Sequence, residues 1–445
     1  MLYRIFKWLF TLTVNGYFRS IYTKGLEQIP DEAPLIFVAN HNSAFMDPIV
    51  LAVHLKQSIY FLARGESFKS KLASTLFRLL HMIPIYKPEI SPDEVYKNKF
   101  VFQKCYDHLK KGKSILIFPE GISETVRNLR KIKTGAARIG LGAENENNFN
   151  LKTKIVPIGI NYSNPHYFRS DVFINVGKPI EVSKYAQEFE IDEKNAVKEL
   201  TNEIREHLED LIVIVKDEKL DKLIKQIEIL FRSELRSQKN TINDVSRDFY
   251  LSQKIVEAVE YYQDVRPEYM VKFKIKINKY LSHLKQLKIR DSQIKNPNVR
   301  LHLVNRLLYF IFGLPIFLYG FLVNIIPFKA AEYLSKKILV RKDFIGSMKL
   351  AFGMFIFLIF YIIQIIVLGS LAHWFWVVVF GLTLYPAGLF TISYLKNYFL
   401  VRGNLRYLYL LNRKSDLISD LKQTRQELMN ELEEGRQLYI NLKRF

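Results

Sequence analysis

Cysteine is nearly missing from this 445-residue chain, where Cys105 stands alone. A single thiol excludes an intramolecular disulfide and any multi-cysteine zinc site, and it suits a reducing, cytosolic setting. No metal-ligand spacing stands out elsewhere. The N-terminus has the basic residues Arg4 and Lys7 and an apolar stretch from Trp8 to Val14, but the small-residue cleavage site of a signal peptide is lacking: Asn15, Tyr17 and Arg19 follow instead. Charge is absent from Leu307 to Phe328, 22 residues, and from the 46 residues Leu350 to Leu395, His373 aside.

What is present is an unusual mixture, 49% hydrophobic and 14% aromatic residues beside 24% charged ones. That fits a soluble core joined to membrane segments. The net charge of +21 asks for an acidic partner, and nucleic acid, anionic lipid and phosphorylated substrates all qualify. The uncharged runs favour lipid, and the basic residues flanking them explain the charge better than nucleic acid does. Residues 1–24 read as an interfacial amphipathic helix, with Tyr3, Phe6, Trp8 and Phe10 turned to the bilayer and Arg4, Lys7 and Arg19 to headgroups. A plain amphipathic helix packed on the following domain is the other reading.

Residues 25–183 alternate short apolar runs with helical periods. Strands are predicted at Pro34–Ala39, Ser58–Ala63, Lys113–Phe118, Lys154–Asn161 and Val172–Val176, with helices near 48–56, 67–81, 93–111 and 133–145. This is the pattern of an α/β domain with a largely parallel sheet flanked by helices, in which ligands gather beyond the carboxyl ends of the strands. Residues 184–300 are charged and helical in period, a helical extension with no motif for chemistry.

The run 350–395 is long enough for a two-span transmembrane hairpin, with a turn near Gly369–His373 and Trp374 and Trp376 at the interface. The segment 301–328 carries Pro315 near its middle and reads as a re-entrant or membrane segment. Lys329–Lys349 holds six Lys/Arg against two acids and Lys396–Phe445 holds ten against six, so both prefer the cytoplasmic side. A re-entrant 301–328 followed by a hairpin keeps both on the face of the α/β domain. Residues 396–445 then form a basic helical tail.

At the end of the first central strand stands Asn40-His41-Asn42-Ser43-Ala44-Phe45-Met46-Asp47-Pro48. A histidine with a nearby aspartate supplies a general base and a group to orient it. Residues six apart lie about 240° round a helix at roughly 100° per residue, so the pair cannot meet across one helix. A loop carrying His41, with Asp47 at the N-cap of a helix whose first residue is Pro48, lets the imidazole fold back onto the carboxylate. A later strand ends in Phe118-Pro119-Glu120-Gly121, and Lys133 precedes a Gly/Ala-rich helix whose N-terminus would favour an anion.

These blocks, with Ala63-Arg64-Gly65-Glu66-Ser67-Phe68-Lys69, Lys133-Thr134-Gly135-Ala136-Ala137 and Ile155-Val156-Pro157-Ile158-Gly159-Ile160-Asn161-Tyr162, resemble in order those of the phospholipid/glycerol acyltransferase family. The resemblance covers roughly residues 20 to 185. Five residues separate His41 from Asp47 where the family usually has four. The longer spacing resembles the branch of fungal glycerol-3-phosphate/dihydroxyacetone-phosphate acyltransferases, which also carry C-terminal membrane segments.

The resemblance implies that His41 takes the proton of an acceptor hydroxyl and that Asp47 holds the imidazole. It assigns acceptor binding to Glu120 and Gly121, and to Arg64, Ser67 and Lys69 of the second block; Lys133 joins them as a candidate anion contact. No G-x-S-x-G elbow occurs, which favours direct transfer over an acyl-enzyme. The implied protein is an integral membrane O-acyltransferase with its catalytic domain facing the cytoplasm. Acyl-CoA or acyl-carrier protein would serve as donor substrate, a phosphate-bearing glycerolipid precursor as acceptor, with no cofactor and no metal. Lysophosphatidate as acceptor, a lipid hydrolase and a catalytically idle membrane tether are the rivals.

Overall fold

The structure, a computed structural model, describes residues 2–32, 34–87, 89–235, 244–295, 303–338 and 341–443. It divides into two compact units, residues 1–214 with 331–355, and residues 215–330 with 356–445. The expected boundary between 300 and 301 lies outside the described residues.

In the first unit eight strands form one sheet: β1 Ser20–Lys24, β2 Leu35–Ala39, β3 Ile59–Arg64, β4 Met82–Ile85, β5 Ser114–Ile117, β6 Lys154–Tyr162, β7 Asp171–Val176 and β8 Ile180–Glu181. The order is β1-β7-β6-β2-β5-β3-β4, with β8 beside β6. The pairings of β6 with β7 and β8 are antiparallel and the others parallel. The five predicted strands are present; β1, β4 and β8 are additions. All five residues of β2 are buried, as a central strand covered on both faces requires.

Among the described residues seven α-helices precede residue 215: α1 Leu2–Tyr17, α2 Met46–His54, α3 Lys71–Leu79, α4 Asn98–Lys110, α5 Gly135–Asn145, α6 Ala186–Ile191 and α7 Glu193–Leu211. Alternation along β2 sends Ile36 and Val38 to a core containing Leu109 of α4, Ile139 of α5 and Leu200 and Leu208 of α7. Leu35, Phe37 and Ala39 face the opposite core, with Val14 of α1 and Met46, Val50 and Leu51 of α2. The helical extension expected from residue 184 therefore begins later: α7 closes one face of the sheet, capped by Asp192, whose side chain accepts from the Lys194 and Asn195 amides.

The N-terminal helix is packed on the domain. Val14, Tyr17 and Phe18 are buried, Tyr3 stacks on His81, and Arg19, expected at headgroups, pairs with Asp171. Ile5 and Trp8 remain exposed.

The second unit contains α8 Glu218–Leu235, α9 Asp244–Val265, α10 Pro267–Gln286, α11 Asp291–Lys295, most of α12 Leu303–Lys337, the distal part of α13 Ile345–Gly369, and α14 Trp374–Arg413 and α15 Ser415–Lys443. Among the described residues three stretches are long and apolar enough to cross a membrane, Leu308–Lys337, Lys342–Gly369 and Trp374–Arg413. The described part of 301–328 makes no re-entrant reversal: it is helical throughout, with Pro315 and Pro327 inside α12. An interior proline removes one backbone hydrogen bond, and neighbouring helices resupply polar partners. Here Asn324 donates to Gly320 and Leu384 carbonyls and accepts from the Tyr361 hydroxyl. The turn between the last two spans falls at 370–373, with Trp374 and Trp376 exposed beside it.

Candidate active site

Register brings the chemistry together. Val38 of β2 pairs with Ile117 of β5, so His41 and Glu120, each three residues further on, emerge side by side. The His41 amide donates to Glu120 Oε1 at 2.7 Å. On the other flank, Asn40 exchanges two hydrogen bonds with the Ile160 backbone of β6, at 3.0 and 2.7 Å, which fixes the chain as it leaves β2.

His41 Nδ1 lies 2.8 Å from Asp47 Oδ2, and its ring stacks on Phe118 at 4.3 Å between centroids. Asp47 is fully buried. Its Oδ2 also accepts from the Ser43 amide at 2.8 Å, and its Oδ1 from the Tyr162 hydroxyl at 2.8 Å. Because a carboxylate only accepts, this geometry puts the imidazole proton on Nδ1 and leaves the Nε2 lone pair for substrate. Burial and the adjacent Asp47 charge push the Tyr162 phenol well above its ordinary range, so it remains a donor.

Asp47 does not cap α2 as expected. The helix starts at Met46 with Phe45 in the cap position, and Asp47, inside its first turn, turns its carboxylate inward to His41. The Ser43 backbone supplies the early helix contacts, accepting from the Met46 and Asp47 amides.

Glu120 is buried and doubly engaged: Oε1 takes the His41 amide and Oε2 the Arg130 Nε at 3.0 Å. Arg130 also reaches Glu124 and the Ile122 carbonyl, and Arg205 of α7 donates to the Leu129 and Arg130 carbonyls. Both carboxylate oxygens therefore hold protein groups, which makes Glu120 the brace between the histidine loop and the following loop. Gly121 adopts a φ of 78°, in the left-handed region that glycine enters without strain.

Beyond the adjoining strand ends lies a set of cations. Arg64 closes β3 and pairs in register with Ile85 of β4. Two residues on, Lys87 donates to the Gly121 carbonyl. Burial, then the charges of Arg64 and Lys133, push the Lys87 ammonium down to about 8. Lys133 Nζ contacts Glu89 at 2.9 Å, and its side chain passes the α-carbon of Gly121. Hydrogen bonding to Lys133 in turn holds the Glu89 carboxyl below its usual range. Ser67 and Lys69 sit at exposed positions in and after the turn that follows β3. Lys87, Arg130 and Tyr162 thus join the candidate residues, although the sequence reading gave them no role.

A histidine oriented by a buried carboxylate at parallel strand ends, with cations at the neighbouring ends, can take a proton from a hydroxyl and meet an anionic substrate. Residues 20–161 match the Acyltransferase family model. Glycerol-3-phosphate O-acyltransferase 1 of Saccharomyces cerevisiae is 24% identical over 59% of this chain and 46% of its own length. Glycerol-3-phosphate O-acyltransferase 2 of the same yeast is 34% identical over 26% of this chain and 16% of its own. The chloroplastic 1-acyl-sn-glycerol-3-phosphate acyltransferase LPAT1 of Arabidopsis thaliana is 29% identical over 27% of this chain and 32% of its own. The chain thus spans less than half the length of each of these relatives.

Proposed function

We propose that this protein transfers a fatty acyl group from an acyl thioester, acyl-CoA or acyl-carrier protein, to a hydroxyl of glycerol-3-phosphate or a closely related precursor. It would work at the cytoplasmic face of the membrane that its apolar helices enter. The observation that carries the reading is the His41–Asp47 contact at 2.8 Å. Nε2 takes the hydroxyl proton, the oxygen attacks the thioester carbonyl, and the proton passes from the imidazolium to the departing thiolate. Asp47 stabilises the imidazolium between those steps. Arg64, Lys87 and Lys133 would meet the acceptor phosphate, as charge-assisted contacts do.

The 24% identity to a yeast glycerol-3-phosphate O-acyltransferase supports that acceptor. The matches to chloroplastic 1-acylglycerol-3-phosphate acyltransferases keep lysophosphatidate as the second reading. Purified full-length protein, given acyl-CoA or acyl-carrier-protein donors with glycerol-3-phosphate, dihydroxyacetone phosphate or lysophosphatidate, decides between them. Acylated soluble phosphate supports the proposal, and acylation of lysophosphatidate alone moves the enzyme to the second acylation step. Free fatty acid without acylated acceptor identifies a hydrolase; no thioester turnover identifies an idle tether.

A further inference from the structure

Some three hundred residues after the histidine loop, the chain returns to it. Arg341 donates to Asp343 and to the Ser123 carbonyl, and the Ser123 hydroxyl donates to buried Asp343. One turn further, at the start of α13, the buried Ser347 hydroxyl donates to the Ser43 carbonyl at 2.9 Å and accepts from the Met46 amide at 3.0 Å. A Cβ on Gly346 would come within 2.1 Å of the Pro165 carbonyl oxygen and 3.0 Å of Met46 Cε, so glycine alone admits this approach. Lys349 Nζ donates to the His166 carbonyl, and Leu350 is fully buried in the core that holds Met46 and Val50.

These contacts fall on the two residues that frame Asp47. The Ser43 amide donates to Asp47 Oδ2, the oxygen that also holds His41 Nδ1, and Met46 is the residue preceding Asp47. The same segment grips Ser123, and the next residue's amide, that of Glu124, donates to the His41 carbonyl. We propose that Ser347 is a positioning residue for the His41–Asp47 pair, so that the first turn of an apolar helix from the C-terminal half completes the catalytic loop.

The hydroxyl serves both a backbone acceptor and a backbone donor in a buried site. Alanine there removes one hydrogen bond from each: the Met46 amide keeps only the Ser43 carbonyl, that carbonyl keeps only the Met46 and Asp47 amides, and the loop loses its polar tie to the first turn of α13. The loop then relaxes, and displacement of a base by about 1 Å can cost around 10²-fold in rate. Substrate contacts at the other strand ends are untouched, so the loss belongs in kcat and not in KM.

The inference rests on the acyl-transfer reading, so the test uses two readouts on the full chain in detergent or bilayer. Ser347→Ala is expected to lower kcat at least tenfold with both KM values within about twofold. It should also speed amide hydrogen exchange in residues 40–50, while Ser347→Thr, which keeps the hydroxyl, restores most of both. Leu350→Ala, a packing change one turn away, should lower Tm with kcat within threefold at a temperature where it stays folded. Should Ser347→Ala not fold, Ser347→Cys, similar in size but a weak hydrogen-bonder, is read in its place. Unchanged kcat and exchange in the Ser347 variant, or an equal loss of kcat in Leu350→Ala, overturns the proposal. Wild type without thioester turnover refutes the function instead, and exchange alone then tells whether Ser347 holds the loop.

Discussion

The Tyr162 hydroxyl donates to Asp47 Oδ1 at 2.8 Å, from the far end of β6 and 115 residues away in sequence. It completes a buried carboxylate that also accepts from His41 and Ser43. Tyr162→Phe removes one of three donors and leaves the His41–Asp47 contact in place. A hydrogen bond to a charged group is worth about 1.5 to 3 kcal/mol. The variant should therefore lose roughly tenfold in kcat, whereas His41→Ala should lose about 10²- to 10⁴-fold. Steady-state rates with the wild-type acceptor check both, and near-normal turnover by His41→Ala would end the mechanism. Asp47→Ala should lose stability as well as rate. The cause is not a lost helix cap but three donors, from His41, Ser43 and Tyr162, left without their common acceptor, read as a fall in Tm.

Lys87 gives the acceptor step a pH signature. Its ammonium is pushed down to about 8, so it is a cation below that pH and neutral above it. A phosphate monoester is already mostly dianionic near neutrality, its second pKa being about 6. The kcat/KM for a phosphate-bearing acceptor should thus fall as pH rises through about 8, while the donor KM stays level. Lys87→Arg, charged throughout, should carry the plateau to higher pH; an identical descending limb in that variant would remove Lys87 from phosphate binding.

In the helical unit a buried ion pair joins α11 to α15. Asp291 accepts from Arg425 Nε at 3.0 Å and from the Tyr280 hydroxyl at 2.6 Å, and all three residues are buried. Asp291→Ala takes the buried carboxylate away from the Arg425 guanidinium, a change that costs about 3 to 5 kcal/mol in such pairs. Limited proteolysis should cut α10 and α15 of this variant far sooner than in the wild type. Digestion at the wild-type rate would show the pair to be dispensable.

The parallel-sheet class and five of its strands were legible because fully buried strands such as Leu35–Ala39 and Ile155–Ile160 write continuous apolar runs into the sequence. β4 was not: it has four residues, contains Pro84, and is preceded by His81 at a φ of 62°. Missing β4 hid Lys87, which stands two residues past its end. Tyr162 ended a recognised block, but its aim at Asp47 depends on the pairing of β6 with β2, which spacing along the chain does not encode. Ser347 was equally silent, lying in a segment read only for its positive charge. The His41–Asp47 contact was legible, because a six-residue offset and a following proline leave few ways to fold the loop.

Membrane topology follows from the same return of the chain. Ser347 bonds to the Ser43 and Met46 backbone and Leu350 lies in the α/β core, so the segment entering α13 must share the side of the α/β domain. The excess of Lys/Arg after residue 396 predicts the same side for the tail, and a hairpin of α13 and α14 would send residues 370–373 to the opposite side. Thiol labelling can read this in otherwise native protein, because Cys105 is buried and pushed up to about 12, out of reach of a thiolate reagent. In sealed vesicles a membrane-impermeant maleimide should label Ile338→Cys and Asn430→Cys from one face and Ala372→Cys from the other. Labelling of Ile338→Cys only from the face that reaches Ala372→Cys would break the arrangement, since no chain can hold Ser347 beneath the catalytic loop from across a bilayer.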